Sequence, residues 1–210
     1  TFRYDGNSKL KDNRWGFFPG VSLGWNMMEE DFWKASKLSK VISNIKPRIS
    51  YGSNGNVSGI GDFYIYGVYD QLTNYNGNTA FYDRSLVNTA LKWEQSHTFE
   101  AGLDLGFFKN RLSFILDYYV RNTSNLLQSV NLPSYLGFKS IQTNLGKLRN
   151  QGFEMEVRAT PVHLRNGFRW DLSFNLSTVK NTIIKLPKSE RPFNQLEGVE
   201  VAAGKVDANG

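Results

Sequence analysis

Two histidines, His97 and His163, and no cysteine occur among the 210 residues. That leaves little with which to build a nucleophile or a metal centre. Neither histidine has a serine or a carboxylate cluster at the spacing of a triad or a metal site, so both read as structural or solvated side chains. Asp5-Gly6-Asn7 with Asp12 offers oxygen ligands of the kind calcium loops use, but the closing glutamate and the regular spacing are missing, and a turn is the reading. Gly59-Ile60-Gly61 lacks the third glycine and the following helix of a dinucleotide loop. The chain therefore carries no catalytic set, no metal site and no cofactor site, and it does not read as an enzyme. Aromatic rings are the better candidates for binding. Tyr64, Tyr66, Tyr69, Tyr75, Phe81 and Tyr82 fall in one long connection, and Tyr135 and Phe138 in another. Their faces could stack on sugars or on a partner, and the plainer alternative is that they pack the loops together.

The elements that hold these loops are strands. From Thr98 to Arg121, Phe99, Ala101, Leu103, Leu105 and Phe107 take one side, opposite Glu100, Gly102, Asp104 and Gly106. After a turn at Phe108-Lys109-Asn110, Leu112, Phe114, Leu116, Tyr118 and Val120 continue the apolar side, and Ile115 is the single misfit. This is the period of two that a pleated strand imposes. The same alternation runs through Trp15–Met27, Gly152–Thr160 and Phe168–Thr178, and a short strand is expected at Pro47–Gly52. Phe63–Tyr69 is expected to form a further strand inside the loop Ser53–Gln95. Glu29–Ile45 has three- and four-residue spacing with acidic residues in front and predicts a short helix. Asn122–Asn150 and the stretch from Lys180 onward read as long connections, and Pro161–Gly167 as a short one.

Long and short connections alternate along the chain. A soluble sandwich has no reason for this, whereas outer-membrane barrels have short periplasmic turns and long external loops. The expected fold is all-β, antiparallel strands forming part of a large transmembrane β-barrel. Its lipid side would carry Phe99, Leu103, Leu105, Leu112, Phe114, Leu116, Phe153, Met155, Val157, Trp170, Leu172 and Phe174, and Trp15, Trp25, Trp93 and Trp170 would stand near an interfacial girdle. A soluble β-sandwich that binds carbohydrate remains the alternative, as does a passive outer-membrane pore.

Aromatics make up 14% of the chain and are accompanied by 19 glycines, a mixture that favours strands and turns. The net charge of +6 comes from interspersed lysines and arginines. With no run of like charge and no recognition motif, nucleic acid is not an expected partner. No apolar run is long enough for a transmembrane helix. Thr1–Asp5 looks like the end of a strand, so residues 1–210 are expected to form one partial β-barrel domain with no plug, no signal peptide and an incomplete barrel.

Asn13–Trp25 (NRWGFFPGVSLGW), Arg48–Asn56 (RISYGSNGN), Leu91–Glu94 (LKWE), Glu100–Leu105 (EAGLDL) and Asn150–Glu156 (NQGFEME), in this order, strongly resemble the SusC/RagA family of TonB-dependent outer-membrane transporters of Bacteroidetes. The resemblance covers almost all of the chain. It implies a sector of a roughly 22-stranded barrel that family members close around an N-terminal plug. It further implies import of a glycan, a peptide or another large nutrient, a SusD-like surface lipoprotein as partner, and coupling to TonB through an N-terminal region absent from these residues. Outer-membrane lipid would be the surrounding medium and the outer membrane the location.

Overall fold

The computed structural model describes residues 1–67, 69–83, 86–138, 140–164, 167–185, 195–196 and 199–200, and for 72–75, 83, 134, 195–196 and 199–200 it describes the backbone alone. The described residues form thirteen strands: β1 Phe2–Gly6, β2 Trp15–Gly24, β3 Ile42–Asn56, β4 Tyr69–Tyr75, β5 Asn78–Asp83, β6 Glu94–Phe107, β7 Leu112–Ser124, β8 Leu127–Asn131, β9 Ser140–Asn144, β10 Lys147–His163, β11 Arg169–Lys185 and the two-residue pair β12 Gln195–Leu196 and β13 Val199–Glu200. Seven of them form one antiparallel sheet in the order β1-β2-β3-β6-β7-β10-β11. The hairpins β4–β5 and β8–β9 are insertions in the two long connections.

Because side chains alternate, the register alone assigns the faces. Pro47, Leu103, Leu116, Met155 and Leu176 stand in one row across five strands, and Ile45, Leu105, Phe114, Val157 and Phe174 in another. Phe99, Leu112, Phe153 and Leu172 lie on the same side by the same pairing, and Trp170 joins them by alternation along β11. The opposite side carries the rows Arg48–Gly102–Asp117–Glu154 and Lys46–Asp104–Ile115–Glu156. Ile115 thus belongs to the polar side, between two carboxylate-bearing strands. Phe174 remains 56% exposed and Leu172 46% exposed. Among the described residues no second sheet covers the apolar face, which is the arrangement of a barrel wall and not of a sandwich.

Several boundaries move from the sequence expectations. Within Glu29–Ile45 the expected short helix is confined to Asp31–Lys34, flanked by 3-10 turns at Met27–Glu29 and Lys37–Lys40, and β3 is already under way at Ile42. Glu30 and Ser36 break the helix because both are extended, and the Ser36 hydroxyl accepts from the Leu38 amide at 3.2 Å to start the last turn. Phe63–Tyr69 does not form a strand. A 3-10 turn at Tyr64–Tyr66 ends at Gly67 with φ +82°, and the strand begins at Tyr69. Its partner β5 follows Asn76-Gly77, both at positive φ, the dipeptide that two-residue hairpin turns favour. The wall strands also run longer than the alternation alone marked, β3 by several residues at each end and β11 to Lys185. The β6–β7 turn sits where expected, with Phe108, Lys109 and Asn110 all left-handed; the Phe108 amide donates to Val41 O at 2.8 Å, and the Asn110 amide to Ser43 Oγ at the start of β3 at 2.9 Å.

The two faces should respond differently to charge. In the full-length protein folded into lipid vesicles, Leu116→Arg is expected to cost about 2–4 kcal/mol in a denaturant titration. Ile115→Lys, one residue away but between Asp104 and Glu156, should cost less than half as much. Equal penalties would contradict the assignment of faces.

Candidate functional site: the polar wall and the loop cap

At the centre of the polar wall, Arg48 reaches over β6 to three carboxylates. Its Nε donates to Asp104 at 3.1 Å, Nη1 to Glu100 at 3.2 Å and Nη2 to Asp117 on β7 at 2.8 Å. The planar guanidinium suits this fork because its donors diverge in fixed directions. Gly102 makes the crossing possible. A Cβ there would lie 2.9 Å from Arg48 Cγ and 2.7 Å from Cζ. One cation facing three anions leaves the patch negative, and Glu154 and Glu156 on β10 extend it. Asp117 Oδ1 is buried without a hydrogen-bond partner.

Two open grooves follow this wall. One of about 460 Å³ runs over Gly20, Ser22, Ser50, Gly52, Thr98 and Glu100. The other, about 300 Å³, lies over Asp117, Glu154, Glu156, Asn175 and Ser177. The first is lined mainly by polar groups, whereas the second mixes those carboxylates and amides with Ile115, Met155 and Leu176.

A second unit sits at the end of the sheet where the long connections emerge. Leu10, Phe18, Val57, Ile60, Tyr64, Leu91 and Trp93 form a buried core, with Val87 and Leu127 against it. Phe18 packs edge-on to Trp93 at 5.4 Å between ring centroids. It fits only because positions 16 and 55 are glycine, since a Cβ at either would approach its ring to 2.5 Å or 2.1 Å. Polar ties join the separate connections. Tyr64 Oη donates to Leu86 O at 2.9 Å and accepts from the amides of Asn88 at 3.1 Å and Gln142 at 3.3 Å. Asn144 accepts from the Lys92 amide at 2.7 Å and donates to the Lys92 carbonyl at 2.8 Å. Lys9 pairs with Asp62 at 2.8 Å and donates to Ile60 O at 3.0 Å. The hydrogen bond from Lys9 and its charge hold the Asp62 carboxyl below the usual aspartate range.

The aromatic candidates divide. Tyr64 is buried and serves as the pin of the cap, so its ring faces no solvent. Tyr66, Tyr69, Phe81 and Tyr135 are exposed, Tyr135 by 84%. Tyr82 and Phe138 are half-buried, with Tyr82 Oη donating to Asp70 at 3.4 Å. The side chain of Tyr75 lies outside the described residues. Of the four girdle tryptophans, Trp15, Trp25 and Trp170 are exposed, whereas Trp93 is buried in the cap and donates Nε1 to Arg14 O at 3.2 Å. Asp5 and Gly6 end strand β1, with Asp5 paired to Arg3 at 3.0 Å, and the turn begins only after them, where Asn7 Oδ1 accepts from the Lys9 amide at 2.9 Å. Arg48, Gly102 and Phe18 were not singled out by sequence reading as site residues. The available signals were a lone apolar side chain on the glycine side of β2 and a glycine in a row of charged residues.

A single-layer wall with one apolar face, one polar face and its loops gathered at one end is a sector of a transmembrane β-barrel. Residues 1–199 match the family described as TonB dependent receptor-like, beta-barrel, and the chain belongs to that family. It is 39% identical over 195 residues to the TonB-dependent receptor SusC of Bacteroides thetaiotaomicron, covering 89% of this chain and 19% of that protein. It is 37% identical over 187 residues to the TonB-dependent receptor P39 of Formosa agariphila, covering 89% and 18%. Among solved structures it resembles the RagAB peptide transporter, with a TM-score of 0.78, 28% identity and coverage of 89% of this chain and 20% of that one. The open-open state of the RagAB peptide importer gives a TM-score of 0.77 at 28% identity, with the same coverages. The chain spans about a fifth of the length of the curated relatives it matches.

Two outcomes are expected. Arg48→Met and Gly102→Val should each destabilise the full-length barrel, and the double variant should lose less than the sum, with a coupling of about 0.5–3 kcal/mol because both remove the same crossing. Additive losses would mean that Gly102 does not act through Arg48. For the cap, a carboxyl whose folded value is lowered stabilises above the ordinary aspartate range and stops doing so as pH falls through the lowered value. Asp62→Asn should therefore speed amide exchange around residues 57–64 at neutral pH, and the difference from the parent protein, compared at each pH, should vanish in acid.

Proposed function

We propose that this chain is a sector of the wall of an outer-membrane transporter that imports a nutrient too large for porins, a glycan or a peptide, with energy relayed through TonB. The observation that carries this reading is the two-faced wall: a continuous apolar side for lipid and a polar side with open grooves along a charged Arg48 cluster. Family membership and the similarity to SusC and to the RagAB peptide transporter support the same reading. A SusD-like surface lipoprotein is the partner it implies, seated at the end where the long connections form the cap. The exposed rings of Tyr66, Tyr69, Phe81 and Tyr135 at that end are the residues assigned to ligand or partner contact, with Tyr82 beside them and Tyr75 carried over from the sequence. Tyr64 instead holds the loops that present them.

Uptake of labelled oligosaccharides and peptides by cells carrying the full-length gene tests the proposal. Uptake should collapse when TonB is deleted. Undiminished uptake without TonB would favour the alternative, a passive pore built on the same wall.

A further inference from the structure

We infer that the connection between β2 and β3, residues 25–41, is an interfacial foot that lies on the phospholipid surface at the short-turn side of the membrane and reads anionic headgroups. The inference rests on the barrel reading. Register places Trp25 on the lipid side, because its amide donates to Pro47 O at 3.0 Å and Pro47 stands in the row of Leu103, Leu116 and Met155. The connection folds back onto that side. Phe32 packs on Trp25 at 6.2 Å between ring centroids, and Trp25 Nε1 donates to Glu30 at 2.9 Å. Phe32 is nevertheless 57% exposed and Leu38 56% exposed. Phe32 therefore continues the lipid face outward past the end of β2, and Leu38 adds an exposed apolar group to the same connection.

The level is that of the membrane boundary. Strands of a tilted barrel end in a staircase, and here β2 stops opposite Arg48, β3–β6 pairing runs on to Ile42 and Phe107, and β10–β11 pairing runs further still, past Ala159 to His163 and Arg169. Trp25 thus stands at the short-turn rim of its own strand, where amphipathic rings belong. Charge is segregated along the connection, acidic at residues 29–31 and basic at 34, 37 and 40. Glu29 accepts from Asn26 at 2.8 Å, Glu30 from Trp25, and Asp31 lies 3.6 Å from Lys34. Lys37 and Lys40 form no ion pair among the described residues, which leaves them for an outside anion. A surface of exposed Phe and Leu beside unpaired lysines is the chemistry of an interfacial, anionic-lipid contact. The next turn adds to it, since Phe108 is exposed, precedes Lys109 and donates its amide to Val41 O at 2.8 Å.

Full-length protein in lipid vesicles provides the test, with a bimane label on Phe32→Cys and, as a reference, on Leu116→Cys in the wall. Brominated phospholipids should quench both labels, shallow bromines more at position 32 and deep ones more at 116. Quenching at 116 together with quenching at 32 by aqueous iodide alone would overturn the foot and leave the barrel standing. Absence of lipid quenching at 116 would overturn the barrel reading and the foot with it. In competition between phosphatidylglycerol and phosphatidylcholine, Lys37→Gln and Lys40→Gln should each lower the preference for the anionic lipid about fivefold. An unchanged preference would overturn the headgroup contact.

Discussion

Everything in this wall depends on one register held across β3, β6, β7, β10 and β11. The side-chain period of a strand is two, so a slip of one residue in any pair would carry a row of leucines to the polar side and a row of carboxylates to the apolar one. The pairings of β6 with β7 and of β7 with β10 run without a shift, whereas β3–β6 breaks only between Ile42 and Asn44 and β10–β11 at its ends. Irregularity is confined to the rims, where little depends on which face a side chain occupies. Arg48 reinforces the register from one side, because its three carboxylates belong to two different strands and only one alignment brings all of them within reach. Such a network is worth little as a set of exposed ion pairs and more as a lock on alignment, since a slipped strand would face the guanidinium with an apolar residue.

The two ends of the sheet solve opposite problems. At the short-turn end the β6–β7 hairpin returns within a few residues, and the strain of its three left-handed residues, Phe108–Asn110, is offset where the Phe108 amide donates to Val41 O and the Asn110 amide to Ser43 Oγ at the start of β3. At the other end, two connections long enough to contain hairpins of their own would lose too much chain entropy if left free. They escape this by sharing a core. Phe18, placed on the glycine side of β2, gives that core a fixed point on the wall, and Tyr64 spends its single hydroxyl on three backbone groups from two connections. The rings that remain outside are then presented by a body with its own packing.

Much of this could be read from the residues. Alternation marked the wall strands, their faces and the turn at Phe108–Asn110 because period two is a local signal, and the family resemblance supplied the barrel. What could not be read is non-local. Nothing near Phe63 announces that Tyr64 will enter a core with Leu10, and a tyrosine in a loop looks the same whether it is presented or buried. Trp93 was assigned to a girdle for the same reason and lies in the cap instead. Strand ends were underestimated at Ile42 and Lys185 because polar residues near a rim face water or lumen on either side, so the alternation that reveals a strand fades before the strand stops. Arg48 is invisible as a hub until the register sets Gly102 and Asp117 beside it.

The edges of the sheet close the physical case. Among the described residues β1 and β11 pair on one side only, and β11 runs for 17 residues with its side chains exposed throughout. In water such an edge invites association, and in a bilayer each unpaired amide or carbonyl facing hydrocarbon costs several kcal/mol. A sheet of seven strands cannot remove both edges by closing on itself without changing its tilt and shear, and that would break the rows on which the two faces rest. The edges are tolerable only where further strands pair with them. Membership in a family of barrel proteins agrees with that requirement. The same argument explains why the connection after β2 is the one that folds back on the wall: β3 continues to Ile42 after β2 has ended at Gly24, and the turns at Met27–Glu29 and Lys37–Lys40 lie against β3, part of which β2 leaves uncovered.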